Sequence, residues 1–321
     1  MEYRKLISFG KSSFVVTMPK SWVIQNKLKK GDLVYLEGKD NDLILSPRKE
    51  NENIEEKSIT ILVDGKSLRR IQREIISAYI KDYKTITLQG EELKDKAKEV
   101  QDIIQNLMAL EVLDQTSKKI VAKDFLDMKT ISLFNLVRKI DVILRAMMED
   151  CEKMFSEDNC DSINHRDSDL NRISFLIFRA VEYGLDHSSF IYKKYNLQTK
   201  DLLNIWRFVF NLEAVGDGVK RIARFMKEVK LDHKQKEKFL KILREAKLGY
   251  LRALKGFYDH EPELAHAVLE TKTQFINECD QFCIENKKVE NLGLMMEKVK
   301  FMVMNIHHLS RVVYQSDFTP K

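Results

Sequence analysis

The sequence predicts a multidomain, mainly α-helical protein: a small β module at the N terminus, a short α/β domain after it, then two three-helix bundles. Three observations predict this. Eleven glycines and four prolines are few for 321 residues, and no proline falls between Lys200 and Pro262, so long helices are uninterrupted there. Beyond residue 130, apolar residues recur at spacings of three and four through long segments, the pattern of helices with one buried stripe. Before residue 50 the apolar runs are short and bounded by glycine, proline and asparagine, which reads as strands and turns. The length leaves room for two or three domains with their own cores.

In residues 1–50, KLISF at 5–9 predicts a strand, GKSS at 10–13 a turn and FVVTM at 14–18 a second strand ending at Pro19. Residues 21–26 make one or two helical turns, LKKGD at 28–32 a turn, and 33–37 with 43–46 a hairpin across residues 38–42. So small a segment buries little surface by itself, which predicts a partner chain. It is also where the charge sits. Ten lysines and arginines stand against six acids there, so the segment carries +4 of the net +6, and a polyanion is one partner that fits.

The order of GKSSFVVTMPKSWV, LKKGDLVYLE and LILSPRK resembles the AbrB/MazE/SpoVT swapped-hairpin domain, in which two chains interleave hairpins into one barrel. The resemblance implies a homodimer that binds DNA through its first loops and strands. Carried over by position, the DNA contacts are Arg4, Lys5, Lys11 and Lys20, with Ser12 and Ser13 touching phosphates. A dimerisation module whose lysines are only solvated is the alternative.

A charged linker, ENENIEEK at 50–57, leads to a domain over residues 58–125. Its strands at 59–63, 85–88 and 119–122 alternate with helices at 68–81 and 92–110, a βαβαβ order with parallel or mixed pairing. No glycine-rich phosphate loop opens either helix, which argues against nucleotide binding in this domain. Six helices follow, at about 131–155, 161–187, 201–226, 234–258, 262–285 and 289–316, the second capped by Asp161 or Ser162. Two consecutive three-helix units, 130–228 and 232–317, read as an internal duplication.

The third helix contains NLEAVGDGVKRIAR, with two interior glycines two residues apart. Each costs about 1 kcal/mol relative to alanine in a helix. Either a neighbouring helix approaches closely there or room is left for something bound. Glu213 and Asp217, four residues apart, share a face and can offer two oxygen ligands to a metal, or can pair with the neighbouring Lys220 and Arg221.

This stretch resembles the PhoU-family signature, in which a Glu-x-x-Gly-Asp segment recurs in each of two three-helix bundles, and RDSDLNRISFLIFR at 166–179 has the shape of the acid-rich motif on the family's preceding helix. With the N-terminal module, the chain resembles archaeal-type PhoU regulators. That resemblance implies a regulator of phosphate uptake, with a phosphate transporter or sensor protein as partner. It also implies a metal ion (iron, zinc or magnesium) held by Asp167, Asn171, Glu213 and Asp217, where Asn171 stands at a position the family fills with an acid. In the second bundle the corresponding positions are Met304 and His308, with Glu270, Gln274 and Glu278 on the fifth helix, too few ligands for a second site.

Other classes find less support. A carboxylate-bundle metalloenzyme needs a Glu-x-x-His partner on a facing helix, and no nucleophile, base and orienter stand at workable spacing, so no catalysis is expected. An antitoxin-like or other transcriptional regulator that senses a different signal is the alternative to phosphate regulation. Cys151, Cys160, Cys279 and Cys283 form no CxxC pair and read as reduced thiols. No signal-peptide pattern and no run of membrane-spanning length is present, so a cytoplasmic protein without membrane insertion is expected.

Overall fold

The computed structural model describes residues 3–39, 42–47 and 56–315. It comprises two compact units, Met1–Glu55 and Glu56–Lys321. Residues 40–41 of the predicted 38–42 turn, most of the charged linker and the last residue of the predicted sixth helix lie outside the described residues.

In the first unit, β1 (Ile7–Phe9) pairs antiparallel with β2 (Ser13–Val15), and β3 (Tyr35–Lys39) pairs antiparallel with β4 (Asp42–Ser46). Gly10, at φ +71°, turns the first hairpin in a conformation that side chains rarely adopt. Between the hairpins, α1 (Lys20–Gln25) ends with Lys27 left-handed at φ 54° and Leu28 N–H donating to Val23 O at 3.0 Å. That six-to-one bond closes a Schellman-type end without glycine. Lys29 N–H donates to Asp32 Oδ2 at 2.7 Å, which shapes the predicted LKKGD turn.

The second unit opens with an α/β layer: β5 (Ser58–Leu62), α2 (Leu68–Ile80), β6 (Thr85–Gln89), α3 (Leu93–Gln105), β7 (Leu110–Gln115) and β8 (Lys119–Asp124). The sheet order is β5-β6-β8-β7, with β5 and β6 parallel and the other pairs antiparallel. The βαβαβ expectation therefore lacks a strand. The apolar period of NLMAL at 106–110 runs on from α3, but the helix ends at Asn106 and the chain reverses through Ala109 at φ 60°, so β7 starts where the helix was predicted to end. Ile71, Ile75 and Tyr79 of α2 and Val100 and Ile104 of α3 bury against Ile61, Ile86, Leu88 and Ile120 of the sheet.

The rest is helical: α4 (Leu133–Glu152), α5 (Cys160–Asp186), α6 (Ser188–Tyr195), α7 (Thr199–Glu228), α8 (His233–Asp259), α9 (Pro262–Glu270), α10 (Lys272–Glu285) and α11 (Leu292–Gln315). Three differences from the sequence expectation have local causes. The second helix begins one residue before Asp161, with Asp158 Oδ1 accepting from Cys160 N–H at 3.2 Å, so the cap lies upstream of the predicted residues. The predicted fifth helix is broken at Thr271, whose hydroxyl donates to Val268 O at 2.7 Å and whose N–H donates to the same carbonyl at 3.2 Å. The short helix α6 closes at Asn196 in the left-handed region, φ 55°.

One continuous core runs from Met128 to Val313 through all of these helices. The two predicted three-helix units share it, because α7 and α11 form the most extensive helix pair and each also packs within its own set. The glycines of α7 explain the closeness. A Cβ on Gly218 would lie 2.8 Å from Met302 Cβ and 3.2 Å from Met302 Cα on α11. A Cβ on Gly216 would lie 2.9 Å from Leu170 Cδ1 on α5 and 3.2 Å from Leu144 Cδ2 on α4. Both glycines serve close helix approach, so neither leaves room for a ligand.

Candidate functional sites

In the first unit all six residues assigned to DNA contact, Arg4, Lys5, Lys11, Ser12, Ser13 and Lys20, are exposed. Lys11 and Ser12 lie in the tip between β1 and β2, Ser13 opens β2, and Lys20 begins α1 directly after Pro19. Arg4 Nη1 donates to Tyr3 O at 3.1 Å. The surroundings are apolar to an unusual degree. In β3 and β4, Leu36 stands opposite Leu45 and Leu43 two residues along, all on one face, yet Leu36 is 63% exposed and Leu43 58%. Ile7 opposite Val15, with Phe9 beside them, repeats this on the first hairpin. None of the described residues of this unit is buried. So many open apolar side chains in one small module form a patch of the kind found at interaction surfaces.

In the second unit Asp167 on α5 lies across from Glu213 and Asp217 on α7, with Asn171 bonded to Asp167, but a side chain of the protein itself stands among the carboxylates. Lys220 Nζ lies 2.5 Å from Asp167 Oδ2 and 2.9 Å from Asp217 Oδ1, and Arg221 Nη2 donates to Asp217 Oδ2 at 2.7 Å. Asn171 turns its amide toward Asp167 Oδ2 at 3.4 Å and so donates to the carboxylate. Lys220 has a raised pKa: burial would lower it, and the hydrogen bonds from its ammonium to Asp167 and Asp217 outweigh that. Glu213, half-buried, is pushed up by desolvation first and by the Asp217 and Asp167 charges next.

The cation between the two aspartates is therefore the Lys220 ammonium. These residues fit a metal ion poorly as they stand, since one bound by Asp167 and Asp217 would have to displace Lys220. Among the described residues no group of three or more His, Cys, Asp or Glu side chains is arranged to hold one. In the second set of helices, Gln274 and Glu278 line a cavity with Glu245, whereas His308 lines a different groove. The four cysteines are free thiols, and burial pushes Cys151 and Cys279 up to about 12, which keeps them unreactive.

Two buried polar assemblies went unnoticed in the sequence. Arg179 on α5, fully buried, donates to Asp82 at the end of α2 and to Asp124 at the end of β8, and its guanidinium lies 4.7 Å from the Tyr79 ring centroid. Asp141 on α4, also buried, takes Arg145 Nε and Nη2 at 2.9 Å each and the Tyr250 hydroxyl of α8 at 2.8 Å. An arginine inside FLIFRAV and an aspartate inside KIDVIL, each at a core position of its helix, are the signals that mark both.

Comparison with known proteins bears on the first unit. Residues 7–53 match the family model described as Antidote-toxin recognition MazE, bacterial antitoxin. No curated protein and no solved structure gives a significant match to the chain. The N-terminal module is thus similar to an antitoxin domain of the AbrB/MazE kind, followed by an α/β layer and a helical body. No described helix is long and apolar enough to cross a membrane.

Proposed function

We propose that the chain is a DNA-binding regulator that acts as a homodimer and by binding rather than catalysis. Its N-terminal modules pair to cover Leu36, Leu43, Leu45, Ile7 and Val15, and so present Arg4, Lys5, Lys11 and Lys20 of both chains to one DNA duplex. The observation that carries this reading is the combination, in a module similar to MazE, of open apolar hairpin faces with exposed cations at the β1–β2 tip and the start of α1. Apolar faces drive pairing and the cations release counterions from phosphates.

The helical body then serves as the sensing or partner-binding part, in the manner of an antitoxin or a one-chain transcription factor, within the cytoplasm. A finer reading, control of phosphate uptake through a transporter or sensor protein, rests on the resemblance of NLEAVGDGVKRIAR to the PhoU signature. What supports it in the helical body is that Asp167 on α5 and Asp217 on α7 converge on the same Lys220 ammonium.

Binding to the DNA upstream of its own gene, followed by band shift across a salt series, tests the main reading. With about four phosphate contacts per chain, the slope of log affinity on log salt is steep, near −0.9 per contact. Lys11→Ala with Lys20→Ala weakens binding and leaves the dimer intact. Affinity insensitive to salt and to this pair of substitutions would refute DNA binding through this face.

A further inference from the structure

Where α7 crosses α11 the surface carries a groove of about 410 Å³ lined by Trp206, Arg207, Phe210 and Asn211 from α7 and by His308, Arg311 and Val312 from α11. Its chemistry follows from helix spacing. Trp206 and Phe210 stand one turn apart on α7, as do His308 and Arg311 on α11, so each wall presents a column of side chains. Phe210 is 57% exposed, an open state for so large an apolar ring. Trp206 is fixed from behind by Phe178, ring centroids 4.4 Å apart, and Val312 forms a buried apolar floor.

The charge in the groove is of one sign. Among the described residues neither Arg207 nor Arg311 has a carboxylate within ion-pairing distance, whereas most other arginines of the helical body are so paired. No acid lines the groove. The same positive field is felt at His308, whose pKa is lowered by desolvation first and then by Arg311 and Lys272. Asn211 holds its amide on Arg207 O at 2.6 Å, which fixes the side chain at the groove wall.

We propose that this groove binds a nucleoside phosphate, with the base against Phe210 and Trp206 and the phosphate between the guanidinium groups of Arg207 and Arg311 and the imidazole of His308. Two unpaired guanidinium forks match phosphate oxygens in pairs. Two aromatic rings on the α7 wall match the face of a flat base. The groove's volume is that of sites for small organic ligands. Inorganic phosphate alone would use the cations and leave the aromatic surface open to water, so a ligand carrying both a ring and an anion fits better. This is a different location from the α/β layer, where no phosphate loop is found, and the proposal stands independently of the DNA reading.

The test is isothermal titration of the full chain with AMP and with ATP, beside adenosine, ribose 5-phosphate and inorganic phosphate, with tryptophan fluorescence followed in the same titrations. The expected result is saturable AMP and ATP binding with quenching that Trp206→Phe removes, and clearly weaker binding of each of the three fragments. Arg207→Gln with Arg311→Gln lowers nucleotide affinity by about tenfold or more, the scale of lost charge-assisted hydrogen bonds. Phe210→Ala lowers it separately and covers the case in which the double variant fails to fold. Lys11→Ala with Lys20→Ala leaves it unchanged, which separates this groove from the N-terminal cations. No nucleotide binding by the wild type at millimolar concentration overturns the proposal. So does affinity unaffected by the groove substitutions, or inorganic phosphate binding as tightly as AMP.

Discussion

Arg179 on α5 donates from Nε to Asp82 Oδ1 at 2.9 Å and from Nη2 to the same oxygen at 2.6 Å, which ties the helical body to the turn after α2. The guanidinium also reaches Asp124, which Lys84 Nζ contacts at 2.7 Å. Asp82 itself sits in the left-handed region, φ 58°, so the backbone is held in an uncommon conformation to bring this carboxylate to the arginine. Two carboxylates balance two cations, and the arginine is wholly enclosed. The polar cluster thereby sets one docking register between α/β layer and helices, where apolar packing alone tolerates several.

Arg179→Met is expected to lower stability by about 3–5 kcal/mol, because it leaves Asp124 buried without its main partner. Chemical denaturation measures the loss, and hydrogen exchange should rise across residues 58–124. The pH dependence has a defined sign. Burial would raise the Asp124 pKa, but hydrogen bonds from Arg179 and Lys84 outweigh it and the net shift is downward. A carboxylate lowered on folding contributes stability above its unfolded pKa and loses it as pH falls through the folded one, so this contribution fades only below about pH 4. In Arg179→Met the acid sensitivity should move to higher pH.

His307 acts in the same direction over a different window. It is buried, its Nδ1 has no hydrogen-bond partner, and burial first, then Lys272, His308 and Arg311, pushes its pKa down to about 4. Between about pH 6.5 and about pH 4 the unfolded chain takes up a proton that the native chain refuses, so stability falls as pH falls through that range. Melting temperature against pH should show this slope in the wild type and a shallower one in His307→Leu. Equal slopes would mean that His307 is not the group responsible.

The glycines of α7 make a prediction with an internal control. Gly218→Ala forces a methyl group against the backbone of Met302, which cannot yield without α7 and α11 separating, and the expected cost is about 1–3 kcal/mol. Gly216→Ala meets the ends of the Leu170 and Leu144 side chains, which can rotate, and gains helix propensity. It should therefore be the milder of the two in thermal denaturation. The reverse ranking would show that the α7–α11 contact is looser than described.

These cases separate what local sequence encodes from what only assembly reveals. Apolar spacing located the long helices, because burial of one stripe depends on the segment alone. The break at Thr271 and the reversal through Ala109 were missed because neither uses glycine or proline: a threonine hydroxyl and a left-handed alanine do the work there. Of the four candidate ligands, Asp167 on α5 and Asp217 on α7 both bond to Lys220, and Asn171 bonds to Asp167. That Lys220 sits among them depends on how α5 and α7 are rotated against each other, which no single-helix pattern contains. The α7–α11 groove was invisible for the same reason, since its two walls lie about a hundred residues apart in the chain.

Lys220 itself can be tested as the occupant of the acidic cluster. Lys220→Ala leaves buried Asp167 and half-buried Asp217 and Glu213 with only Arg221 nearby, and the expected loss is about 3 kcal/mol. The vacated space is bounded by carboxylates, so magnesium or zinc should raise the melting temperature of the variant more than that of the wild type. Equal responses to metal would show that the cluster is a packing feature whose cation is not exchangeable.

The N-terminal module separates pairing from DNA contact in one experiment. Leu36 and Leu45 stand directly opposite each other on β3 and β4 with Leu43 on the same face, and all three are exposed. Leu36→Ser with Leu45→Ser removes apolar surface that the proposed pairing buries, at about 25 cal/mol per Å² of area returned to water. Light scattering should then report half the mass of the wild type, and DNA affinity should collapse because one chain supplies half the phosphate contacts. Lys11→Ala with Lys20→Ala should do the opposite, losing DNA while keeping the full mass. A double-leucine variant that stays dimeric would move the interface to the helical body, and the open hairpin face would then need another partner.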